Sequence, residues 1–396
     1  MNLVKTVKFK RIETMKKNRL IIWFVVAVFG GLNIYILMAE ETTARTTTLV
    51  LQQETREKKI SLGDATTLWG YYGVTPESPD EKRLCYARFP GVIDLPGPEK
   101  YTMRPVELWV CNIDGSGHKM LFKGNDPAHN GLQQSWVDND RIVFSEKQGV
   151  YIINANTGTI EFGPYKGFSA GHFAQNGKIL MIQKSGTTKE KGLYELDIAT
   201  GTMRLVLHYD KKINHAQYSP SGLKALFTTN SNSNLVVANI KTGEIKILPG
   251  LKPMHFQWFD NESFLGYSHS DVVGVDTTKH INQEMYRWNL DGQIIEHLSG
   301  HGCHGAGRAD GKYFAGESWY SSDPIVLRLY SRGQSKAIVD VFSHSFVELT
   351  WEHGGRHHVN PSFSRNGMSL YYNKAVDRNT SYAFRYDLTG MVSPPG

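Results

Sequence analysis

The sequence predicts an all-β protein, a seven-bladed β-propeller that follows an N-terminal signal or transmembrane segment. Two observations carry this prediction: a β-hairpin pattern repeats seven times along the chain, and one long apolar run lies near the N-terminus. Of the 396 residues, 40% are hydrophobic and 21% are charged. This composition is typical of a folded globular chain and excludes a disordered or fibrous one.

A basic segment and a single apolar run open the chain. The run, Leu20 to Ala39, is long enough to cross a bilayer, which needs roughly 20 residues, and Lys16, Lys17 and Arg19 stand directly before it. The same stretch has the charged head and apolar core of a secretory signal. We therefore expect residues 1–40 to be a cleaved signal peptide or an anchor. The rest of the chain is then periplasmic, secreted or membrane-anchored facing outside the cytoplasm.

Charge and cysteine content exclude several classes of protein. The formal net charge is +6, but the basic first 19 residues hold this excess, so charge gives no support to a nucleic-acid partner. The three cysteines, Cys85, Cys111 and Cys303, cannot form a disulfide framework, and none belongs to a CxxC pair. If Cys85 and Cys111 form a disulfide, Cys303 is left over.

A repeating hairpin predicts the number of blades. Segments such as LYELDIATGTMRLVLH and MYRWNLDGQIIEHL consist of two strand-like runs joined by a glycine turn. These turn glycines recur at intervals of 41 to 57 residues. They are Gly115, Gly158, Gly201, Gly243, Gly292, Gly333 and Gly390. Another short strand, opened by a Ser-Pro or Asp/Asn-Gly turn, lies between successive hairpins, so each repeat supplies a four-stranded propeller blade.

The other segments are assigned around this repeat. Residues 41–63 are predicted to be a linker and residues 64–396 the propeller. The stretch 64–74 (DATTLWGYYGV) is able to supply a closing strand, although the sequence does not show which terminus closes the ring. We expect a monomer that contacts a membrane only through residues 20–39, if that segment is retained.

Several of the 15 histidines occupy one position in the repeat. His215 and His304 each lie seven residues before the glycine of the turn that precedes the next short strand, and not before one of the seven hairpin glycines. Asn360 has the same spacing from the glycine of its own turn. In a propeller this position is at the start of the innermost strand, so we expect these side chains at the mouth of the central channel. Histidines near the same level are His172, His255 and His358.

Imidazoles that converge from separate elements can hold a divalent metal such as zinc or manganese. The predicted ligands are His255, His304 and His358. Cys303, next to His304, can supply a thiolate, and His301 is a further option. The alternative is that these polar side chains hydrogen-bond the strand ends and hold no metal.

Three of the repeats carry a resemblance to a known family. The last contains RHHVNPSFSRNGMSLYYN and the one before it GHGCHGAGRADGKYFAGES, and both resemble the metal-binding blades of oligogalacturonate lyases. The segment HNGLQQSWVDNDRIVF is similar to a blade of ulvan-lyase-like propellers. The resemblance extends over roughly residues 64 to 390. It implies a lyase that cleaves uronic-acid-containing poly- or oligosaccharides by β-elimination, with a divalent metal in the propeller.

The resemblance also implies particular site residues. His304 and His358 match metal-ligand positions, and His255 is a weaker match. Oligogalacturonate lyases have a second histidine where this chain has Asn360. A His/Cys site that includes Cys303, of the kind expected in ulvan-lyase-like members, therefore favours zinc over manganese.

β-Elimination requires that an acid and a base of the protein act on the substrate. The uronate carboxylate must be neutralised while the base removes the adjacent proton and the acid protonates the leaving oxygen. An imidazole with an ordinary pKa of about 6.5 suits the base, and a tyrosine or a second histidine suits the acid. The candidates are His129, His172 and His215. A non-catalytic binding or scaffold propeller remains the alternative, because the same fold hosts both.

Overall fold

The structure is a computed structural model, and the elements of its described part are β-strands. It describes residues 56–91, 104–126, 131–184, 190–229, 234–248, 253–268, 284–301, 304–318, 324–344, 358–377 and 380–395, all within a compact unit that spans 53–396. In this part of the chain the strands form seven antiparallel sheets of four strands each. The predicted seven-bladed β-propeller is therefore confirmed.

Each blade is built from four strands, arranged in order from the axis to the outer edge. The innermost strands are β2 (Thr66–Leu68), β6 (Ser135–Trp136), β10 (Phe168–Gln175), β14 (Ile213–Tyr218), β18 (Pro253–Asp260), β22 (Gly305–Gly307) and β26 (Ser362–Phe363). The second strands are β3 (Arg83–Phe89), β7 (Arg141–Glu146), β11 (Lys178–Gln183), β15 (Lys224–Thr229), β19 (Ser263–Ser268), β23 (Tyr313–Glu317) and β27 (Ser369–Ala375). The third strands are β4 (Arg104–Asn112), β8 (Gly149–Asn154), β12 (Gly192–Asp197), β16 (Asn234–Asn239), β20 (Glu284–Asn289), β24 (Ile325–Ser331) and β28 (Ser381–Asp387). The outermost strands are β5 (Lys119–Asp126), β9 (Ile160–Tyr165), β13 (Met203–His208), β17 (Ile245–Leu248), β21 (Ile294–His301), β25 (Ala337–His344) and β1 (Glu57–Lys59).

The core lies between the blades. Each pair of neighbouring sheets encloses a cluster of buried apolar side chains, including the pair formed by the first and last blades. A second strand such as β7 (RIVFSE) is buried along almost its whole length because both of its faces meet a neighbouring sheet. This packing fixes the innermost strands around the axis, where the predicted site residues lie.

The N-terminal strand closes the ring. Strand β1 pairs with β28 of the last blade, with Glu57 opposite Tyr386 and Lys59 opposite Phe384. The closing strand therefore comes from residues that the sequence analysis placed in the 41–63 linker. The 64–74 stretch does not close the ring; its first part forms β2, the innermost strand of the first blade. A three-residue strand gives too short a pattern to be recognised in the sequence.

We expect Glu57→Ala to lower the free energy of unfolding by about 1–3 kcal/mol. Glu57 accepts hydrogen bonds from the buried Tyr372 hydroxyl and from Lys374 Nζ at 2.7 Å, so the substitution leaves a buried hydroxyl without its acceptor. Urea unfolding monitored by tryptophan fluorescence measures the change. Glu262→Ala, which removes an exposed ion pair with Lys224, is the control and should change stability by well under 1 kcal/mol. Equal effects of the two substitutions would contradict the proposed role of Glu57 in closing the ring.

Six of the seven turn glycines lie in the predicted hairpins, between the third and outermost strands, with φ values from +68° to +78°. A side chain with a Cβ is strained in this left-handed region, which explains why glycine recurs there. Gly390 differs: it also has a positive φ, but it follows β28, and the outermost strand of that blade comes from the N-terminus. Its prediction as a hairpin glycine is wrong for that reason; it lies in a turn beside the Thr389–Val392 bridge.

The two described cysteines do not form a disulfide. Cys85 is opposite Val110 and Cys111 is opposite Leu84, so the two side chains lie on opposite faces of the first blade. Both are free and buried, and burial raises the pKa of each thiol. They act as apolar core residues.

No helix within the described ranges is long and apolar enough to span a membrane. The apolar run 20–39 lies outside the described residues, so its interpretation as a signal or anchor stays a prediction.

Candidate functional site

Bulges in the innermost strands aim histidines into the central channel. The pairing register of β10, β14 and β18 with their neighbours shifts at the segments that contain His172, His215 and His255. His215 and His255 have φ values of +54° and +55°, and Asn360 has +46°. Left-handed backbone at non-glycine residues costs about 1–3 kcal/mol and clusters at functional sites. The strained backbone at these positions therefore directs these side chains inward.

The channel histidines form a continuous arc of rings. We use this name for His172, His215, His255, His304 and His358. Successive ring centroids along the arc are 5.6 Å, 6.3 Å, 3.9 Å and 4.6 Å apart. The predicted convergence of imidazoles at one end of the innermost strands is thus present, and five blades contribute to it.

Two tyrosines occupy the channel beside these rings. Tyr71 and Tyr72 follow β2 and belong to a small buried cluster with Val74. The Tyr72 ring centroid lies 5.0 Å from that of His304 and 5.5 Å from that of His255, and Tyr72 is 1% exposed. Tyr71 lies 4.2 Å from His172, measured between ring centroids. These tyrosines were not predicted to belong to the site, because nothing in DATTLWGYYGV shows that the chain passes through the channel.

Within the described residues one group combines donor atoms suitable for a metal. His304, Glu317 and His358 are 2%, 1% and 4% exposed, and their potential ligand atoms all lie within 4.8 Å of one another. We call these three residues the metal-ligand group. With ligand bonds of roughly 2.0–2.2 Å, a zinc or manganese ion needs only small side-chain movements to bind all three. Glu317 was not predicted; it comes from the end of β23, the second strand of its blade.

Hydrogen bonds already orient part of this group. His304 Nδ1 and Glu317 Oε1 form a hydrogen bond. Asn373 Nδ2 donates to the carbonyl oxygen of His358 at 2.9 Å, while its Oδ1 accepts from the backbone of Trp69. A buried carboxylate is stable only when it is paired or coordinated, so two imidazoles and Glu317 make a chemically consistent set for a divalent cation.

The other predicted ligands are placed less directly. His255 packs against His304, with ring centroids 3.9 Å apart, but its ring lies 6.4 Å from that of His358. Asn360 Nδ2 donates to the carbonyl oxygen of Gly70, so this side chain supports the channel segment. Cys303 lies outside the described residues, and nothing is described of the side chain of His301. Their metal roles stay predictions.

The predicted acid–base residues fall in a second part of the arc. The Tyr71 hydroxyl lies 2.9 Å from His215 Nδ1, and His172 Nε2 lies 3.4 Å from the same nitrogen. His215 is half-buried, whereas His172 is 8% exposed. His129 lies outside the described residues, so its assignment as a base stays a prediction.

The environment of His172 predicts a pH dependence of stability. Burial, reinforced by the charges of His215 and His255 when protonated, lowers the pKa of His172 well below its ordinary value of 6.5. Below pH 6.5 the unfolded chain therefore binds a proton at His172 that the folded chain does not bind. The free energy of unfolding should fall as the pH drops below 6.5, and this group contributes at most about 1.4 kcal/mol per pH unit. Urea unfolding at a series of pH values should show a shallower acid decline in His172→Gln than in the wild type. An identical decline in both proteins would contradict this account.

Comparisons with known proteins identify the fold. No protein-family model and no curated protein sequence matches the chain. Among solved structures, an oligogalacturonate lyase in complex with manganese matches with a TM-score of 0.63 and 12% identity, over 84% of this chain and 92% of that one. An oligogalacturonate lyase from Vibrio parahaemolyticus also matches with a TM-score of 0.63, at 14% identity, over 84% of this chain and 93% of that one.

This likeness is one of fold. The chain has the seven-bladed fold of the oligogalacturonate lyases, which confirms at that level the resemblance to these proteins seen in the sequence. The resemblance to ulvan-lyase-like propellers stays a prediction. The β-propeller domain of Cps50 (Swd1) from Myceliophteria thermophila matches with a TM-score of 0.50 and 11% identity, over 83% of this chain and 99% of that one. Because this fold serves proteins of different kinds, the activity must be argued from the site.

Proposed function

We propose that this protein is a metal-dependent polysaccharide lyase that cleaves uronic-acid-containing poly- or oligosaccharides by β-elimination. The observation that carries the proposal is the metal-ligand group, His304, Glu317 and His358, at the end of the channel that also holds His215 and Tyr71. The likeness of the fold to oligogalacturonate lyases, one of them solved with manganese, supports the same reaction class and a divalent ion.

The residues of the metal-ligand group would hold the ion. When bound, a divalent ion supplies the positive charge that neutralises a uronate carboxylate and acidifies the adjacent C–H bond. Two imidazoles and one carboxylate suit either zinc or manganese. The predicted preference for zinc depended on Cys303, which lies outside the described residues, and it stays a prediction.

His215 is the described residue best suited to proton transfer. It is half-buried and projects from a bulge toward the channel, and its Nδ1 contacts the Tyr71 hydroxyl. In the tautomer whose Nδ1–H donates to the Tyr71 oxygen, Nε2 carries the lone pair that can take a proton from the substrate. His172 is more deeply buried than His215, and its Nε2 lies 3.4 Å from His215 Nδ1, so it supports the His215 ring. We therefore assign proton transfer to His215 and a positioning role to His172.

The proposed setting is outside the cytoplasm, where acidic polysaccharides are accessible. The apolar run 20–39 supports this setting as a signal or anchor. Fractionation of cells, with N-terminal sequencing of the recovered protein, distinguishes a cleaved from a retained segment. Recovery of intact chain solely in the cytosol would contradict the proposed location.

A panel of substrates tests the activity. The purified protein, loaded in turn with manganese and zinc, should release unsaturated uronate from a pectic, ulvan-type or alginate substrate, as seen by its ultraviolet absorbance. Neutral polysaccharides should give no product, because they lack the carboxylate. Absence of product on every uronate substrate with both metals would favour the alternative, a binding or scaffold propeller.

A further inference from the structure

The far end of the channel contains a cavity that the proposed reaction does not use. It has a volume of about 400 Å³, and residues from all seven blades line it, at the end where each innermost strand turns into the second strand. We call it the axial cavity. Its volume is within the range of roughly 300–1,000 Å³ that is typical of small-molecule sites.

The axial cavity is separate from the channel histidines. Along β18, Gln257 and Phe259 line the cavity two and four residues after His255, which corresponds to roughly 7 and 13 Å of extended strand. Between the two sites the channel holds Tyr71 and Tyr72, which are buried. Gly73 is fixed below them by hydrogen bonds to the carbonyl of Pro361 and from Gln257 Nε2. A ligand in the cavity would not reach the metal-ligand group.

The walls of the cavity combine aromatic faces with polar groups. Trp136 and Trp258 line it, and their indole N–H groups donate to the carbonyls of Pro76 and Gln217, so these rings offer a ligand only apolar surface. Phe173 and Phe259 are half-buried at the rim. Polar lining residues lie between these rings: Thr75, Ser135, Gln175 and Ser364. Such alternation suits a ring with one apolar face and hydroxyl groups at its edge, as in a pyranose.

One cation of the lining is held at the cavity by backbone carbonyl groups. The Arg365 guanidinium donates from Nε and Nη2 to the carbonyl oxygens of Glu77 and Ser78, which hold the side chain in place. In the described part of the chain Arg365 forms no ion pair, although the carboxylates of Glu77 and Glu81 are near enough to interact with its charge. Arg308, the other arginine of the lining, is already paired with Asp310 and buried. Arg365 is therefore the cation of the lining that an anionic ligand would contact.

We propose that the axial cavity binds a monosaccharide that carries a carboxylate, with the sugar ring between aromatic walls and the carboxylate on Arg365. The aromatic walls would contact the sugar ring, and the guanidinium would bind the carboxylate. The choice of a uronic acid rests on the proposed lyase function, but the test measures binding and not turnover, so the two proposals can fail separately.

Calorimetric titration with D-galacturonate, supported by the fluorescence of Trp136 and Trp258, tests this site. The wild type should bind galacturonate in a saturable way and should bind neutral D-galactose at least about tenfold more weakly, because a hydrogen bond to a charged group contributes this much. Arg365→Gln should weaken galacturonate binding by about tenfold or more. Ala309→Trp, which fills the cavity from an exposed lining position, should abolish it and provides a second variant if Arg365→Gln folds poorly.

Two further variants locate the binding. His358→Ala disrupts the metal-ligand group, and Arg328→Gln removes an arginine from an ion pair on β24; with all proteins stripped of metal, so that only the axial cavity is measured, both should bind galacturonate as the wild type does. The proposal is overturned if the wild type shows no saturable binding, or if galactose binds as tightly as galacturonate. It is also overturned if His358→Ala loses binding while Arg365→Gln and Ala309→Trp keep it, since the sugar would then occupy the channel histidines.

Discussion

Replacement of His358 with alanine should remove the divalent ion and the lyase activity together. His358 supplies one of only three donors in the metal-ligand group, and Glu317 and His304 remain hydrogen-bonded to each other without it. Loss of a ligand should lower metal affinity by at least about 10- to 100-fold, and turnover should fall in proportion to the metal content. Metal analysis of the dialysed protein and the ultraviolet assay for unsaturated uronate measure the two effects.

The control for this variant is His208→Ala. His208 is exposed on the outermost strand β13, where its Nε2 lies 3.3 Å from Asp210 Oδ1, so both metal content and activity should be unchanged. Retention of the metal by His358→Ala with normal affinity would contradict the assignment of the metal-ligand group. Loss of metal without loss of activity would instead show that the ion is structural.

Replacement of His215 with alanine should lower turnover by about 10²-fold or more while the protein keeps its metal. A general base contributes this much, and His215 is outside the metal-ligand group. Tyr71→Phe should have a smaller effect in the same direction, because it removes only the hydroxyl that contacts His215 Nδ1 at 2.9 Å. Steady-state assays with matched metal analysis separate these effects from loss of the ion.

The chain offers a matched control for the Tyr71–His215 pair. The Tyr86 hydroxyl contacts His118 Nδ1 at 3.0 Å, a similar distance, but in the first blade and away from the channel. His118→Ala should therefore leave turnover unchanged. Full activity in His215→Ala would move the base to His172 or to His129, whose own alanine variant should then lose activity and keep the metal.

The blades could be predicted from the sequence because their signals are local. A glycine with φ near +75°, such as Gly158 or Gly243, is required by a tight hairpin whatever the rest of the chain does. Closure of the ring is not local: Glu57 pairs with Tyr386, and three residues, EKK, have no pattern that distinguishes a strand from a linker. The error at Gly390 has the same origin, since its hairpin partner was assumed to follow it in the chain.

The site could be predicted only in part, for a related reason. His215 and His304 have the same spacing from the glycine of the turn that follows each of them, and this indicated that they share one end of the channel. Glu317 had no comparable signal, because the equivalent strand β7 also ends in a glutamate, Glu146. Glu146 accepts a hydrogen bond from Tyr151 within its own blade, whereas Glu317 contacts His304. Which of two such glutamates turns toward the innermost strand depends on its contacts with the other strands, and those contacts are not encoded in local spacing.

The most direct test of the lyase proposal is a metal titration of the chelator-treated wild-type protein during turnover. Manganese or zinc is added to the metal-free protein with polygalacturonate, and ion binding and unsaturated uronate are measured in the same samples. The proposal predicts no product without metal, and product that rises with ion content and saturates at one ion per chain. Full activity in the metal-free protein, or one tightly bound ion with no eliminase activity on any uronate polysaccharide, would contradict it.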